Sequence, residues 1–287
     1  MPDVLLATCA DLPSGDEDAD ALVGALAAHG VAAEWGVWTD DAVDWQRALT
    51  VLRSTWDYAG ARDAFLSWTR RIARLANPYP VVAWNSDKTY LRDLERAGVP
   101  IVPTAWAAPG EAVLVPETGE FVVKPSVGAG SRGAGRFTAD AGGSALTHAA
   151  RLHDAGRVVL VQPYLSGVDT QGETALVYVD GAFSHAVRKG AMLPEGVAHP
   201  VDGHELYVEE RITPAEATDA ELAVGARAVE FVAQRFGGPL LYARVDLLPS
   251  QTGPVVVELE LTEPSLFLLH ADGAADRFAG AIARRVR

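Results

Sequence analysis

Residues 240–261 read LLYARVDLLPSQTGPVVVELEL, a pattern that predicts a β-hairpin with one polar and one apolar face. Side chains alternate along a strand, so Arg244 and Asp246 share a face, as do Glu258 and Glu260. A loop of about five residues would set Asp246 opposite Glu258 and Arg244 opposite Glu260. The predicted apolar face holds Val245, Leu247, Val257 and Leu259.

The polar face of this hairpin concentrates three carboxylates beside one guanidinium. Carboxylates packed together repel one another unless they are protonated or bridged by a cation. Their hard oxygens suit Mg²⁺ shared with nucleotide phosphates, and a guanidinium beside them can face a transferring phosphate. We therefore interpret Asp246, Glu258 and Glu260 as metal ligands and Arg244 as a catalytic residue. The alternative is an exposed sheet face with Arg–Glu cross-strand pairs, which the strongly apolar flanking sequence disfavours.

The segment KPSVGAGSRG (124–133) is a second candidate site, because a lysine ends a strand and a glycine-rich loop follows. Glycines let backbone N–H groups close on phosphate oxygens, although a surface hairpin loop has the same composition. Residues 128–133 also match the dinucleotide fingerprint G-x-G-x-x-G, which requires a helix to open directly on the loop. Residues 133–138 favour a strand, so an NAD-dependent oxidoreductase is only the alternative from another class. The predicted phosphate-binding residues here are Lys124, Ser126, Gly128, Gly130 and Ser131.

Two later strand ends suggest contacts to a nucleotide and to an anion. The strand ending at 162–165 can offer backbone groups to an adenine edge, and Asp169 or Glu173 can accept from ribose hydroxyls. A strand end with a simple turn is the alternative there. Arg188 and Lys189 end a nearly apolar strand, and adjacent cations at that position indicate an anion partner, with a sheet-edge position as the alternative.

The stretch RSTWDY (53–58) follows the third predicted strand. Ligands of parallel sheets gather at the carboxyl ends of the strands. We therefore predict that Arg53 holds a substrate carboxylate and that Trp56 and Tyr58 line its pocket. A Ser-Thr helix cap with buried aromatic side chains is the alternative.

Composition and charge exclude several classes of protein. The chain has 287 residues and a formal net charge of −14, which disfavours nucleic acid and anionic membranes as partners. Its single cysteine allows no intramolecular disulfide, and no apolar run approaches membrane-spanning length. The chain also begins without the basic segment of a signal peptide. We therefore expect a cytoplasmic protein acting on small molecules, with a homodimer among the options for its oligomeric state.

The order of predicted elements indicates a mixed α/β and α+β architecture. Predicted strands at 4–8, 31–38, 49–53 and 81–84 alternate with helices, which is typical of a parallel α/β subdomain. Later strands suggest antiparallel pairing, with a helix starting at 213–216 and a loop at 191–210. The predicted subdomains are 1–84, 85–165 and 166–287.

Taken in order along the chain, these motifs resemble the ATP-grasp superfamily. A helical lysine, a strand lysine with a glycine-rich loop, a connector strand and a terminal acidic hairpin follow one another. Within the superfamily, the chain looks most like the D-cycloserine synthetases and their glutathione-synthetase-like relatives. The phrases that carry the resemblance are RSTWDY (53–58), WNSDKTYL (84–91), VVKPSVGAGSRG (122–133), FSHAVRKG (183–190) and ELELTEPSLFL (258–268).

The resemblance implies an ATP-grasp fold in which two α+β subdomains grip ATP beside the N-terminal parallel subdomain. It implies ATP and Mg²⁺ as cofactors. One departure is Glu258-Leu-Glu260, where many ATP-grasp enzymes have Glu-x-Asn, which puts coordination by Glu260 in doubt. The resemblance gives nucleotide contacts to Lys88, Lys124, Gln162, Leu165, Asp169, Glu173 and Arg244, catalytic contacts to Arg244, Lys124 and Arg188, and substrate contacts to Lys189 and Ser265.

The implied reaction activates a small amino-acid-like carboxylate as an acyl phosphate, which an amine then attacks. Positioning and charge neutralisation carry most of such catalysis. In D-cycloserine synthetases the amine belongs to the same molecule, O-ureido-D-serine. An intermolecular amino-acid or peptide ligase of the same fold is the alternative.

Overall fold

The computed structural model describes residues 1–128, 130–193, 196, 198 and 211–286. Most of the loop predicted at 191–210 therefore lies outside the described residues. Within the described part, no helix is long and apolar enough to cross a membrane.

The N-terminal region is built on a parallel three-stranded sheet, as the sequence predicts, with the order β2-β1-β3. Its central strand is fully buried because helices cover both faces. The aromatic side chains of Trp38, Phe65 and Trp68 pack together on one side. The elements are β1 (Val4–Thr8), α1 (Ala19–Ala28), β2 (Ala33–Val37), β3 (Leu49–Ser54) and α2 (Arg62–Thr69).

The predicted strand at 81–84 is wrong, because these residues belong to the helix α3 (Tyr79–Asn85). Four apolar residues in a row do not distinguish a buried strand from a buried helical turn. Pro78 precedes the helix and Pro80 lies in its first turn, where proline favours a helix start. Val81 and Val82 are fully buried, each in a different apolar cluster.

An antiparallel four-stranded sheet, of order β4-β7-β5-β6, follows α4 (Tyr90–Arg96). The glycine-rich loop connects β5 to β6, so a strand follows it and no helix opens on it. This arrangement excludes the dinucleotide fingerprint and with it the oxidoreductase alternative. The elements are β4 (Ala105–Ala107), β5 (Glu120–Pro125), β6 (Gly135–Thr138), α5 (Gly142–Asp154) and β7 (Val159–Pro163).

The third sheet is antiparallel and five-stranded, with the order β10-β9-β8-β11-β12. The predicted helix start at 213–216 is wrong, because residues 213–215 pair with β9 as part of an edge strand. The helix begins later, where Thr218 and Glu221 form a reciprocal capping box. The elements are α6 (Gly167–Gln171), β8 (Glu173–Val179), β9 (Ala182–Lys189), β10 (Ile212–Ala215), α7 (Asp219–Phe236), β11 (Tyr242–Ser250) and β12 (Gly253–Glu260).

The C-terminal helix α8 (Ala274–Val286) returns to the N-terminal region and packs on α1. Leu22 and Leu26 of α1 share one apolar cluster with Phe278 and Ile282 of α8. The last helix therefore helps to bury the N-terminal sheet.

Candidate active site

The β11–β12 hairpin has the register that the sequence predicts. Arg244 lies opposite Glu260, and Asp246 lies opposite Glu258. A bulge follows Asp246, so that Leu247 pairs with Val256 and the residue between Val256 and Glu258 has no partner. That residue, Val257, lines a cavity instead of the apolar face on which we predicted it.

A network of ion pairs lies on the polar face of this hairpin. Asp246 is 1% exposed, and both of its oxygens accept from Arg244, each at 2.8 Å. Lys189 of β9 donates to Asp246 at 3.1 Å and to Glu173 of β8 at 2.6 Å. Arg244 also reaches Glu260 at 2.5 Å. The two cations thus join four strands of the sheet, β9, β8, β11 and β12.

The charges of this network shift the pKa values of its carboxyl groups in opposite directions. Burial disfavours ionisation of Asp246, but Arg244 and Lys189 outweigh it and hold its pKa below the usual range. Desolvation raises the pKa of Glu260 to about 8, with Glu258 and Asp246 adding to the shift against the opposing charge of Arg244. Burial and two neighbouring carboxylates thus outweigh the one guanidinium that contacts Glu260.

Two lysines connect this network to the glycine-rich loop. Lys88 contacts Glu258 at 2.8 Å and donates to the carbonyl oxygen of Gly128 at 2.7 Å. Its backbone N–H also donates to the carbonyl oxygen of Ser126 at 2.7 Å. Desolvation, together with the nearby charge of Lys88, lowers the pKa of Lys124 to about 8. Both lysines line the cavity between the second and third sheets.

The first cavity, of about 160 Å³, lies between the four-stranded and five-stranded sheets. Its apolar end includes Val122, Leu165 and Leu248, and its polar end is the ion network. Gln162 lies between them and donates to Thr104 at 2.9 Å. The predicted site residues that line this cavity are Lys88, Lys124, Gly128, Gly130, Ser131, Gln162, Leu165, Glu173, Lys189, Arg244, Glu258 and Glu260.

The second cavity, of about 520 Å³, lies beside the N-terminal region. Trp56, Tyr58 and Ser265 line it, and the sequence predicts all three as substrate contacts. The two cavities share Lys88, Gly128, Gly130, Arg244, Glu258 and Glu260. They therefore meet at the carboxylate–cation face of the hairpin.

The structure places Arg53 behind the second cavity, where its 0% exposed side chain cannot touch a ligand. Its guanidinium donates to the carbonyl oxygen of Pro264 at 3.1 Å and lies 3.4 Å from Asp16. The predicted direct contact of Arg53 with a substrate carboxylate is thus corrected. A strand end predicts proximity to the cavity but not the direction of the side chain.

Four further predicted residues, Arg188, Asp169, Ser126 and Asp246, line neither cavity. Arg188 points to the other side of β9 from Lys189 and contacts Thr174 and Glu221, so this arrangement gives no support to its predicted catalytic role. Asp169 accepts from the Tyr164 hydroxyl at 2.5 Å. Ser126 is 2% exposed and does not line the cavity beside it.

The sequence prediction missed several carboxyl groups of the second cavity. Asp16, Glu17 and Glu263 line it together with the hairpin carboxylates. Asp16 and Glu17 belong to an acidic stretch that resembles an exposed helix start, and Glu263 follows β12 without any periodic pattern. No sequence signal distinguishes them from surface acids.

Among the residues described, no group of three or more His, Cys, Asp or Glu side chains is arranged to hold a metal ion. The hairpin carboxylates instead face the side-chain cations of Lys88, Lys189 and Arg244.

Comparison with solved structures identifies the class of fold. The RimK-domain ATP-grasp protein from Sphaerobacter thermophilus matches with a TM-score of 0.65 and 16% identity, over 98% of both chains. The D-alanine–D-alanine ligase from Bacillus anthracis, complexed with ATP, matches with a TM-score of 0.64 and 14% identity, over 100% of this chain and 97% of that one. The protein thus has the ATP-grasp fold, as the sequence predicts.

Closer relatives identify the family. Residues 4–77 match the family model of the N-terminal domain of D-cycloserine synthetase DcsG. The cycloserine biosynthesis protein DcsG of Streptomyces lavendulae is 39% identical over an alignment of 291 residues that covers 95% of each chain. The crystal structure of D-cycloserine synthetase DcsG matches with a TM-score of 0.90 and 38% identity, over 99% of both chains. The chain belongs to the D-cycloserine synthetase family of ATP-grasp ligases, enzymes that use ATP to activate a carboxylate for attack by an amine.

Proposed function

We propose that the protein closes O-ureido-D-serine to D-cycloserine, using ATP and Mg²⁺ to activate the carboxylate of the amino acid. The observation that carries this proposal is the meeting of two cavities at one carboxylate–cation face. The first cavity is narrow and has an apolar end, which suits a nucleotide. The second cavity is larger and polar, which suits a small zwitterion. The 39% identity to the cycloserine biosynthesis protein supports the choice of substrate.

The residues of the first cavity fit ATP. Lys88, Lys124 and the backbone of the glycine-rich loop would contact the phosphates, where positive charge and N–H groups are concentrated. Gln162 and Leu165 would flank the adenine at the apolar end, and Glu173 is proposed for the ribose side. Because Asp169 does not line the cavity and accepts from the Tyr164 hydroxyl, it is not included among the proposed ribose contacts.

The donor set of the hairpin also fits Mg²⁺. Glu258 and Glu260 line both cavities and offer hard carboxylate oxygens at their junction, the ligand type that Mg²⁺ prefers. Asp246 would become a ligand only if Lys189 left it, because its oxygens already accept from Lys189 and Arg244. Bound magnesium would offset the negative charge of the phosphates.

The chain's own groups would position the reactants and neutralise charge. The substrate carboxylate attacks the γ-phosphate of ATP, which forms an acyl phosphate and releases ADP. Arg244, at the junction, would stabilise the charge that develops on the transferred phosphoryl group. The ureido nitrogen bonded to oxygen then attacks the acyl carbon and expels phosphate. Hydrolysis of the carbamoyl group releases carbon dioxide and ammonia.

An intermolecular peptide ligase remains the second candidate, because the second cavity is open enough for two small molecules. We further propose that residues 1–84, 85–165 and 166–287 act as three subdomains around the two cavities. The homodimer also stays a prediction, which light scattering of the purified protein would check.

The test measures ADP release with Mg²⁺ across amino-acid-like carboxylates, with the product mass recorded in parallel. We expect release with O-ureido-D-serine and a product with the mass of cycloserine. A product that joins two substrate molecules would support the intermolecular ligase instead. Release with other amino acids but not with O-ureido-D-serine would contradict the proposed substrate.

A further inference from the structure

The segment 261–266, which follows β12, forms one wall of the second cavity. Glu263 and Ser265 of this segment line the cavity. Its backbone is held by hydrogen bonds at every residue, which fixes where its side chains lie in the cavity.

Each of the six backbone carbonyl oxygens of the 261–266 segment accepts a hydrogen bond from a side chain elsewhere in the chain. Their donor-to-acceptor distances lie between 2.7 and 3.1 Å. A backbone held at each residue has one conformation, which is what precise placement of a side chain requires. In order from Leu261 to Leu266, the donors are Asn77, Tyr242, Trp56, Arg53, Arg244 and His185.

Glu263 is the carboxyl group that this rigid segment presents. The residue is only 8% exposed, although it lines a cavity. At this residue the backbone oxygen accepts the hydrogen bond from Trp56, so the side-chain carboxyl group takes no part in holding the segment. No basic side chain among the described residues forms an ion pair with it.

Three other carboxylates that line this cavity each form an ion pair with a basic side chain. Glu258 is paired with Lys88, Glu260 with Arg244, and Asp16 with Arg53. Burying an unpaired carboxyl group is costly, so a ligand that supplies a cation would gain free energy there. Desolvation and the charges of Glu260 and Glu258 raise the pKa of Glu263 in the free protein, which fits a site short of positive charge.

We propose that Glu263 binds the α-ammonium group of the amino-acid substrate. The substrate carboxylate would then point to Arg244 and Lys88 at the junction of the cavities, where phosphoryl transfer takes place. Tyr58 lines the same cavity as Glu263. This inference rests on the proposed function, and it adds the group that recognises the amine.

The test compares O-ureido-D-serine with its desamino analogue, in which hydrogen replaces the α-amino group. In wild type, we expect a higher kcat/KM for the amino compound. In Glu263→Gln, this preference should fall roughly tenfold or more, because a charge-assisted hydrogen bond is lost, while the KM for ATP stays within about twofold. Glu263→Asp, which keeps the charge, should recover part of the preference. Glu230→Gln, on the exposed face of α7, is the matched control and should behave as wild type.

An unchanged preference in a folded Glu263→Gln variant would overturn the inference. A variant that lowers kcat equally for both compounds would also overturn it, because the carboxyl group would then act on the reaction and not on the ammonium. If wild type fails with O-ureido-D-serine but accepts another amino acid, the proposed substrate is wrong. The same comparison, made with that amino acid and its desamino analogue, then tests Glu263.

Discussion

Arg132 of the glycine-rich loop donates a 2.7 Å hydrogen bond from Nη2 to the backbone oxygen of Trp56. The indole of Trp56 in turn donates to the backbone oxygen of Glu263 at 3.0 Å. The loop proposed to cover the phosphates is thus joined through one tryptophan to the wall of the second cavity. Two consecutive hydrogen bonds through Trp56 therefore link the loop beside the first cavity to the wall of the second.

We predict that Arg132→Gln lowers kcat/KM for both ATP and the amino acid. A hydrogen bond from a charged donor contributes about 1.5–3 kcal/mol, and partial exposure reduces this, so a loss of roughly tenfold is expected. Steady-state kinetics with each substrate varied in turn would measure it. Arg157→Gln is the control, because Arg157 donates to the backbone oxygen of Ala59 without lining either cavity. Equal losses in both variants would argue against a specific connection.

Asp246 and Glu258, two of the three hairpin carboxylates, should differ in their effect on stability. Asp246→Asn weakens the pairing of two buried cations, and breaking a buried pair costs about 3–5 kcal/mol of unfolding free energy. The side chain of Glu258 is 28% exposed, so Glu258→Gln should cost about 1 kcal/mol or less. Both variants should lose ADP release. Urea unfolding of the two proteins checks the difference, and equal stability losses would contradict the ion network as described.

Nucleotide binding should be accompanied by proton uptake at Lys124. Its pKa of about 8 leaves it largely neutral at pH 8.5, and bound phosphates would raise that pKa, so a proton is taken up. At pH 6.5 the lysine is protonated in both states and takes up none. Calorimetry in two buffers of different ionisation enthalpy should show wild type taking up roughly half a proton more than Lys124→Arg at pH 8.5. The same uptake in both proteins would show that another group titrates.

Two helical glycines should respond oppositely to alanine. A Cβ at Gly225, in α7, would lie 2.6 Å from Leu176 and would also collide with Tyr178. Gly225→Ala should therefore destabilise the protein by about 1–3 kcal/mol through overpacking. Gly24, in α1, has no atom within 4 Å of such a Cβ, so Gly24→Ala should stabilise by about 0.5–1 kcal/mol. Thermal unfolding measures both, and a stabilised Gly225→Ala would show that the contact with β8 is loose.

The sequence predicted the parts of this protein that follow from strand alternation and from the order of motifs. Arg244, Asp246, Glu258 and Glu260 form one face because side chains alternate along a strand and the loop sets the register. The sequence also showed that the glycine-rich loop is not a dinucleotide-binding loop, because the residues after Gly133 favour a strand and not the helix that such a loop requires.

Other features could not be predicted, because they depend on distant packing. A bulge turns Val257 into the first cavity, but residues 255–257 are all valine, so the sequence does not show where the strand alternation is interrupted. Arg53 and Arg188 each end or nearly end a strand, but their directions depend on partners far along the chain, Pro264 and Glu221. Glu263 stands alone after β12, so only the fold shows that it enters a cavity.

The hydrogen bonds to the 261–266 segment also constrain the order in which the protein is made. Their donors lie between residues 53 and 244, so all of them leave the ribosome before the segment that they hold. During synthesis, this wall of the second cavity is therefore completed only after residue 266 has emerged, and every side chain that holds its backbone is already present by then.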